Sequence, residues 1–189
     1  MSDLHAVHLH DTRPEPWRNG GGLTHQLLAW PPQAPHWQLR VSVAAIASSG
    51  PFSAYPGVRR WFTVIDGEGV GLSLPRGTYN LVPGDEPLSF DGESAAEAHL
   101  LGGPTHDLNL MVQRDAGSSR MWRAQPGDRI DGPTRWRGLY AADRVLLELD
   151  GRTEPVAAGT LVWTDAHDAV SWQLHHGSSG HAWFMTLED

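Results

Sequence analysis

The sequence predicts an all-β chain made of two β-barrels or half-barrels in tandem, and three observations carry that reading. Short segments of apolar–polar alternation recur along the chain, separated by Gly, Pro and Asp turn signals. Outside residues 91–98 no stretch shows a helical period, and there it is weak. An apolar-Asp-Gly strand end followed by a further Gly turn occurs at Ile65-Asp66-Gly67 with Pro83-Gly84-Asp85, and returns in shortened form at Leu149-Asp150-Gly151 with Gly159. A repeated order of parts marks an internal duplication. It divides the chain into an N-terminal barrel, residues 1–115, and a smaller C-terminal one, residues 116–189, expected to pack as a single compact unit.

Residues 4–10, LHAVHLH, alternate as a first strand. His8 and His10 share one strand face while His5 points the other way, and no carboxylate accompanies them, so edge or surface histidines are expected rather than metal ligands. In WRNGGGLT, residues 17–24, three consecutive glycines free the backbone to pass close to a neighbour. The stretch reads either as a bulge or turn between strands or as a pocket rim, with Trp17 a flat wall and Asn19 and Thr24 polar contacts. Neither a Gly-Lys-Ser/Thr phosphate loop nor a dinucleotide fingerprint is present.

Residues 37–46, WQLRVSVAAI, form a strand with Leu39, Val41 and Val43 on one face and Gln38, Arg40 and Ser42 on the other. The β-branched and aromatic run Trp61–Ile65 enters Asp66-Gly67-Glu68-Gly69, and alternation restarts at Val70-Gly71-Leu72, which predicts a hairpin. Short strands follow at 88–90 and 96–101. From Asp107 onward, Asp107, Asn109 and Met111 share one face and Leu108, Leu110 and Val112 the other. A polar face on an interior barrel strand is how small barrels build a ligand site. Residues 115–119 are a linker, after which strands are expected at 136–140, 144–149, 157–163, 170–174 and 181–187.

Composition narrows the chemistry. The net charge is −8 and no basic run occurs, which argues against nucleic acid. All 14 basic residues are Arg, so Schiff-base chemistry on a Lys amine is excluded. With no Cys, disulfide scaffolds, thiolate metal sites and Cys nucleophiles are excluded as well. The first ten residues are polar, nothing reads as a signal peptide, and no apolar run approaches the ~20 residues of a membrane span, so a cytoplasmic protein without membrane contact is expected.

The order strand, apolar-acid-Gly-x-Gly, strand, Pro-Gly-Asp resembles the cupin superfamily, an RmlC-like jelly-roll. Most metal cupins place His-x-His and Glu ahead of the first Gly turn and a further His after the second. Counted back from Gly67, the Glu position falls on Arg60 and the His-x-His positions fall within Ser53–Pro56; counted from Gly84, the last His falls on Ala95. The four ligands are absent, and a guanidinium prefers an anion where a cation would sit. No metal and no cofactor are therefore expected, and the ligand of such a site is a small anion unless Arg60 pairs internally with Asp107 or Glu68.

Three segments, WRNGGGLT (17–24), FSAYPGVRR (52–60) and LGGPTHDLNLMVQR (101–114), closely resemble signature segments of the HutD/Ves family, bicupin proteins associated with bacterial histidine utilisation. The resemblance is weaker in the C-terminal half. It implies a metal-poor fold of two cupin barrels or half-barrels packed together, with a pocket in the N-terminal one. The implied role is binding a small acidic metabolite, such as urocanate or a formylated amino acid, to moderate the pathway. Matched residue by residue, it brings Trp17, Asn19, Thr24, Phe52, Tyr55, Arg60, Asp107, Asn109 and Arg114 into the ligand-binding set. His25 stands where relatives tend to have Arg, which puts a second basic contact near Thr24 in doubt.

Four functions compete on these residues. The favoured one is a non-enzymatic small-anion sensor in which Arg60 clamps a carboxylate, Asn19, Asp107 and Asn109 read polar groups, and Trp17, Phe52 and Tyr55 stack on a planar ligand. A metal-free isomerase, hydrolase or lyase would use His106 or Asp107 as base and Tyr55 as acid, although neighbours on a strand face opposite ways. A metal-dependent dioxygenase would need His167, His175, His176 and His181 to converge. An interaction protein would spread its nine Trp over a partner or homodimer face, whereas core filling explains most of them.

Overall fold

A computed structural model of the chain describes residues 4–17, 20–167 and 170–189. Alternation becomes strand along nearly the whole chain. After β1 (His5–His8) come β2 (Pro14–Pro16), β3 (Gly22–Trp30), β4 (Leu39–Ile46), β5 (Gly50–Pro51) and β6 (Val58–Gly67). Then follow β7 (Val70–Leu74), β8 (Gly77–Leu81), β9 (Leu88–Asp91), β10 (Glu97–Leu100) and β11 (Thr105–Gln113). The rest is β12 (Ser118–Arg123), β13 (Arg129–Ile130), β14 (Trp136–Ala141), β15 (Val145–Leu149), β16 (Arg152–Val156), β17 (Thr160–Thr164), β18 (Trp172–Leu174) and β19 (Ala182–Glu188). The weak helical pattern at 91–98 is turn and strand, and among the described residues only Leu9–Asp11 and Arg114–Ala116 form short 3₁₀ turns. No helix among them is long and apolar enough to cross a membrane.

The chain divides into two compact units, Thr12–Ala116 and a second that joins residues 4–11 to Gly117–Asp189. This corrects the expected boundary at the N-terminus. β1 belongs to the second unit, where it pairs antiparallel with β17, from His5 opposite Trp163 to His8 opposite Thr160. The His5 ring stacks on Trp163 at 4.2 Å, and His8 Nδ1 lies 2.8 Å from Thr160 Oγ1. These histidines are edge-strand residues, as their spacing suggested. Alternation announces a strand without naming the edge it joins.

In the first unit the large sheet runs β2-β3-β4-β11-β6-β9 and the small one β5-β10-β7-β8. Their inner faces share one core, with Ile46, Phe62, Val64 and Phe90 from the large sheet and Val70, Leu72, Leu81 and Ala98 from the small. β6 and β7 therefore do not form the hairpin expected across Gly67 and Gly69. The turn instead carries the chain from one sheet to the other. Both glycines have positive φ, 95° and 100°, and a Cβ on either would stand 2.5 Å from a backbone oxygen, of Pro104 or Leu81 respectively. Asp85 closes the next turn by accepting a 2.9 Å bond from the Val82 N–H.

The second unit repeats the plan with sheets β1-β17-β14-β19-β12 and β13-β18-β15-β16 around Leu139, Val162, Phe184, Leu147, Trp172 and Leu174. With β1, β2 and β3 set aside, β4-β11-β6-β9 matches β12-β19-β14-β17, and β5-β10-β7-β8 matches β13-β18-β15-β16. The duplication read from the turns is thus a repeat of whole-sheet topology.

Candidate functional site

The inward face of β4, β11 and β6 builds the site in rows, because antiparallel register aligns alternate side chains across the three strands. One row is Arg40–Met111–Arg60, the next Ser42–Asn109–Phe62, and the third Ala44–Asp107–Val64. The first two rows and Ala44 line a cavity of about 590 Å³. Glu15, Pro16, Trp17 and Thr24 form one rim, and Pro51, Phe52, Ser53 and Tyr55 another. The rim is locally determined. The Trp17 indole N–H donates to Thr24 Oγ1 at 2.7 Å, and a Cβ on Gly22 would lie 2.5 Å from the Ala45 carbonyl and 3.2 Å from the Trp17 ring. The glycine run lies at the turn from β2 into its antiparallel partner β3, where the Trp17 backbone N–H donates to the Gly22 carbonyl at 2.9 Å, and Trp17 also lines the cavity rim. Trp17 meets Phe52 edge-on at 6.0 Å, and Phe52 packs 5.6 Å from Phe62.

Arg60 dominates the electrostatics. It is 5 % exposed, and one Nη donates to Asn109 Oδ1 at 2.9 Å. The guanidinium carbon sits over the rings of Phe52 at 4.9 Å, Phe90 at 5.2 Å and Tyr55 at 6.0 Å. The buried Nε–H has no partner, and among the described residues no carboxylate pairs with this side chain, Asp107 and Glu68 included. Burial lowers its pKa to about 10, so it remains charged at neutral pH. Arg40, across Met111, donates from Nε to Gln26 Oε1 at 3.0 Å and from Nη1 to the Tyr55 hydroxyl at 3.5 Å.

Trp17, Thr24, Phe52, Tyr55, Arg60 and Asn109, expected from the sequence, all line this one cavity. Asn19 lies outside the described residues. Asp107 shares the inward face but sits behind the lining, fully buried with neither oxygen hydrogen-bonded, and burial pushes its carboxyl well above the usual range. Arg114 is elsewhere. It follows β11 in a 3₁₀ turn at the surface, ion-paired with Asp91 at 3.0 Å and Glu93 at 2.9 Å, so it is not a cavity residue. Sequence reasoning missed Glu15, Arg40, Ser42 and Met111 as lining residues. The polar alternation Gln38, Arg40, Ser42 was the available signal for two of them, and Arg40 is a second basic side chain on the cavity lining.

The acid–base neighbours separate. A register shift falls between His106 and Asp107, and His106 faces solvent beside Asp66 at 3.5 Å. His181 Nδ1 lies 2.9 Å from Asp143, whose pKa falls chiefly because its carboxylate accepts the His181 backbone N–H. Among the described residues no three His, Asp or Glu side chains converge as a metal set would.

The family model for HutD matches residues 9–183. The chain belongs to the HutD family. That family is associated with histidine utilisation, and one relative, an uncharacterised 21.2 kDa protein in the hutC 3′ region of Pseudomonas putida, is 35 % identical over 150 residues, 78 % of this chain and 73 % of that protein. Protein Ves of Citrobacter koseri is 37 % identical over 100 residues, and the match spans about half of each, 52 % of this chain and 52 % of Ves. The solved structure of HutD from Pseudomonas fluorescens superposes with a TM-score of 0.83 at 23 % identity, covering 98 % of both chains. The HutD-family fold here is the all-β cupin jelly-roll in two copies.

Proposed function

We propose that the first unit's cavity binds a small carboxylate metabolite, of the urocanate or formylated amino acid type, without a metal, and that this binding moderates histidine utilisation. The observation that carries the reading is Arg60, a charged guanidinium buried against aromatic rings, with a neutral amide as its hydrogen-bonded partner and an Nε–H left unmet. A buried charge without a counter-ion is unfavourable. A carboxylate entering the cavity of about 590 Å³, which Arg60 lines, would supply that counter-ion. Phe52, Tyr55 and Trp17 offer faces and edges to a planar body.

Calorimetric and thermal-shift titrations with urocanate, formylglutamate, histidine, glutamate and formate, each with and without chelator, test it. At about 100 times its dissociation constant a true ligand stabilises by ~2.7 kcal/mol. The expected result is a chelator-insensitive shift for at least one acid, abolished in Arg60→Ala while the variant still melts cooperatively. Affinity retained in that variant would end this reading.

A further inference from the structure

We infer that the cavity takes a ligand with two acidic groups, a short dicarboxylate, with one group held by Arg60 and the other by Arg40. The inference rests on the carboxylate reading above and names the ligand class within it.

Arg40 and Arg60 stand in one row of the inward face, both registered against Met111, and both line the same cavity. Two strand spacings place their Cα atoms roughly 9.5 Å apart, within range for two long side chains to address the ends of one small molecule. Each fork is oriented by neutral acceptors: Arg60 by Asn109, Arg40 by Gln26 and the Tyr55 hydroxyl. Among the described residues, neither has a carboxylate partner. That is a local choice, because other arginines of this unit do have one: Arg59 lies 3.4 Å from Asp91, and Arg114 reaches both Asp91 and Glu93. Glu15 lines the same cavity but pairs with neither cation. Two like charges on one cavity oppose each other, and the proximity of Arg40 contributes to the lowered pKa of Arg60. One carboxylate relieves one of them; two relieve both. Tyr55 lies between, with its ring 6.0 Å from the Arg60 guanidinium and its hydroxyl beside Arg40, so the span joining the two acids passes an aromatic wall.

Matched pairs of probes separate this inference from the reading beneath it: succinate against propionate, glutarate against butyrate, and fumarate against crotonate, titrated calorimetrically into the full chain. Dicarboxylates should bind about tenfold or more tightly than their partners, the range of one charge-assisted contact. Arg40→Gln should weaken dicarboxylates by about tenfold more than it weakens monocarboxylates and so erase the preference, Arg40→Lys should keep part of the preference, and Arg60→Gln should weaken both classes. Equal binding of the two classes, or an Arg40→Gln loss shared equally by both, would overturn the two-acid site while leaving a single-carboxylate site standing. Binding of neither class, together with no binding of urocanate or formylglutamate, would remove the carboxylate reading itself.

Discussion

Two buried arginines occupy matching places in the two units and are treated in opposite ways. Arg60 on β6 is registered against Met111 and Phe90; Arg137 on β14, the topological counterpart, is registered against Thr186 and Thr164. Arg137 is fully buried, and its guanidinium donates to Thr134 Oγ1 at 3.1 Å and to the Val170 carbonyl. Aligned on these arginines, the row Ser42–Asn109–Phe62 becomes Trp122–Phe184–Leu139, and Asp107 becomes Ala182. Trp122 and Phe184 pack 5.5 Å apart within the second unit's core, where the first unit has a hydroxyl, an amide and an open cavity. The same strand position thus yields a structural cation where the chain supplies acceptors and fills the space. It yields a cation with a single amide acceptor and an open cavity beside it where the chain supplies less.

Exchanging the plug is the strongest way to break that comparison. Phe184→Ala should open the second core at a cost of about 3–5 kcal/mol, which for a chain of this length lowers the melting temperature by about 6–20 °C. The reverse change, Asn109→Phe, should fill the first unit's cavity and remove the acceptor on Arg60, so acid binding disappears in calorimetry while the melting temperature moves much less. Acid binding that survives Asn109→Phe would mean that the ligand does not use this cavity.

The arginines themselves should respond with different signs. Arg137→Met takes the guanidinium away from the Thr134 hydroxyl and the Val170 carbonyl, and a buried hydroxyl such as that of Thr134 costs about 1–3 kcal/mol when left unsatisfied. Arg60→Met replaces an unpaired buried charge with an apolar chain among Phe52, Phe90 and Met111, which is expected to be neutral or stabilising. Melting curves of the two variants decide the point. A loss in Arg60→Met as large as that in Arg137→Met would make Arg60 a structural residue.

How much of this was legible in the sequence follows from which interactions are local. Strands were readable because alternation is a property of the segment, and the Gly-rich turn at 66–69 was readable because only glycine tolerates its backbone. Its role was not: whether a turn closes a hairpin or crosses between sheets depends on partners far away in the chain, here β9 and β11 for β6 and β8 and β10 for β7. β1 was misplaced for the same reason. In the site, Arg60, Asn109 and the aromatic rim were found through the family resemblance and the polar face of β11. Arg40 was seen only as a polar position on a strand, because nothing local says that β4 and β6 flank the same strand. Arg114 sat in a signature segment but is drawn outward by Asp91 and Glu93, acids at the end of β9 and in the turn after it.

The smallest expected effect concerns Asp107, the position that the second unit fills with Ala182. Burial alone raises its pKa, with Ala44 and Val64 beside it on the neighbouring strands and neither oxygen hydrogen-bonded. Below the usual carboxylate pKa both folded and unfolded chains carry this proton, and the residue has no pH-linked effect. As pH rises through the usual range, the unfolded chain releases the proton while the folded one keeps it. The folded state then binds more protons, and stability falls with pH until the raised folded pKa is reached. Asp107→Asn removes that linkage. Its melting temperature should come closest to wild type at about pH 3 and exceed it by a growing margin towards about pH 7.5. Acid affinity should stay unchanged, because the lining ends in front of this residue. A difference in melting temperature that does not grow with pH would show that the carboxyl titrates like an exposed one. A loss of affinity would bring Asp107 within the ligand's reach.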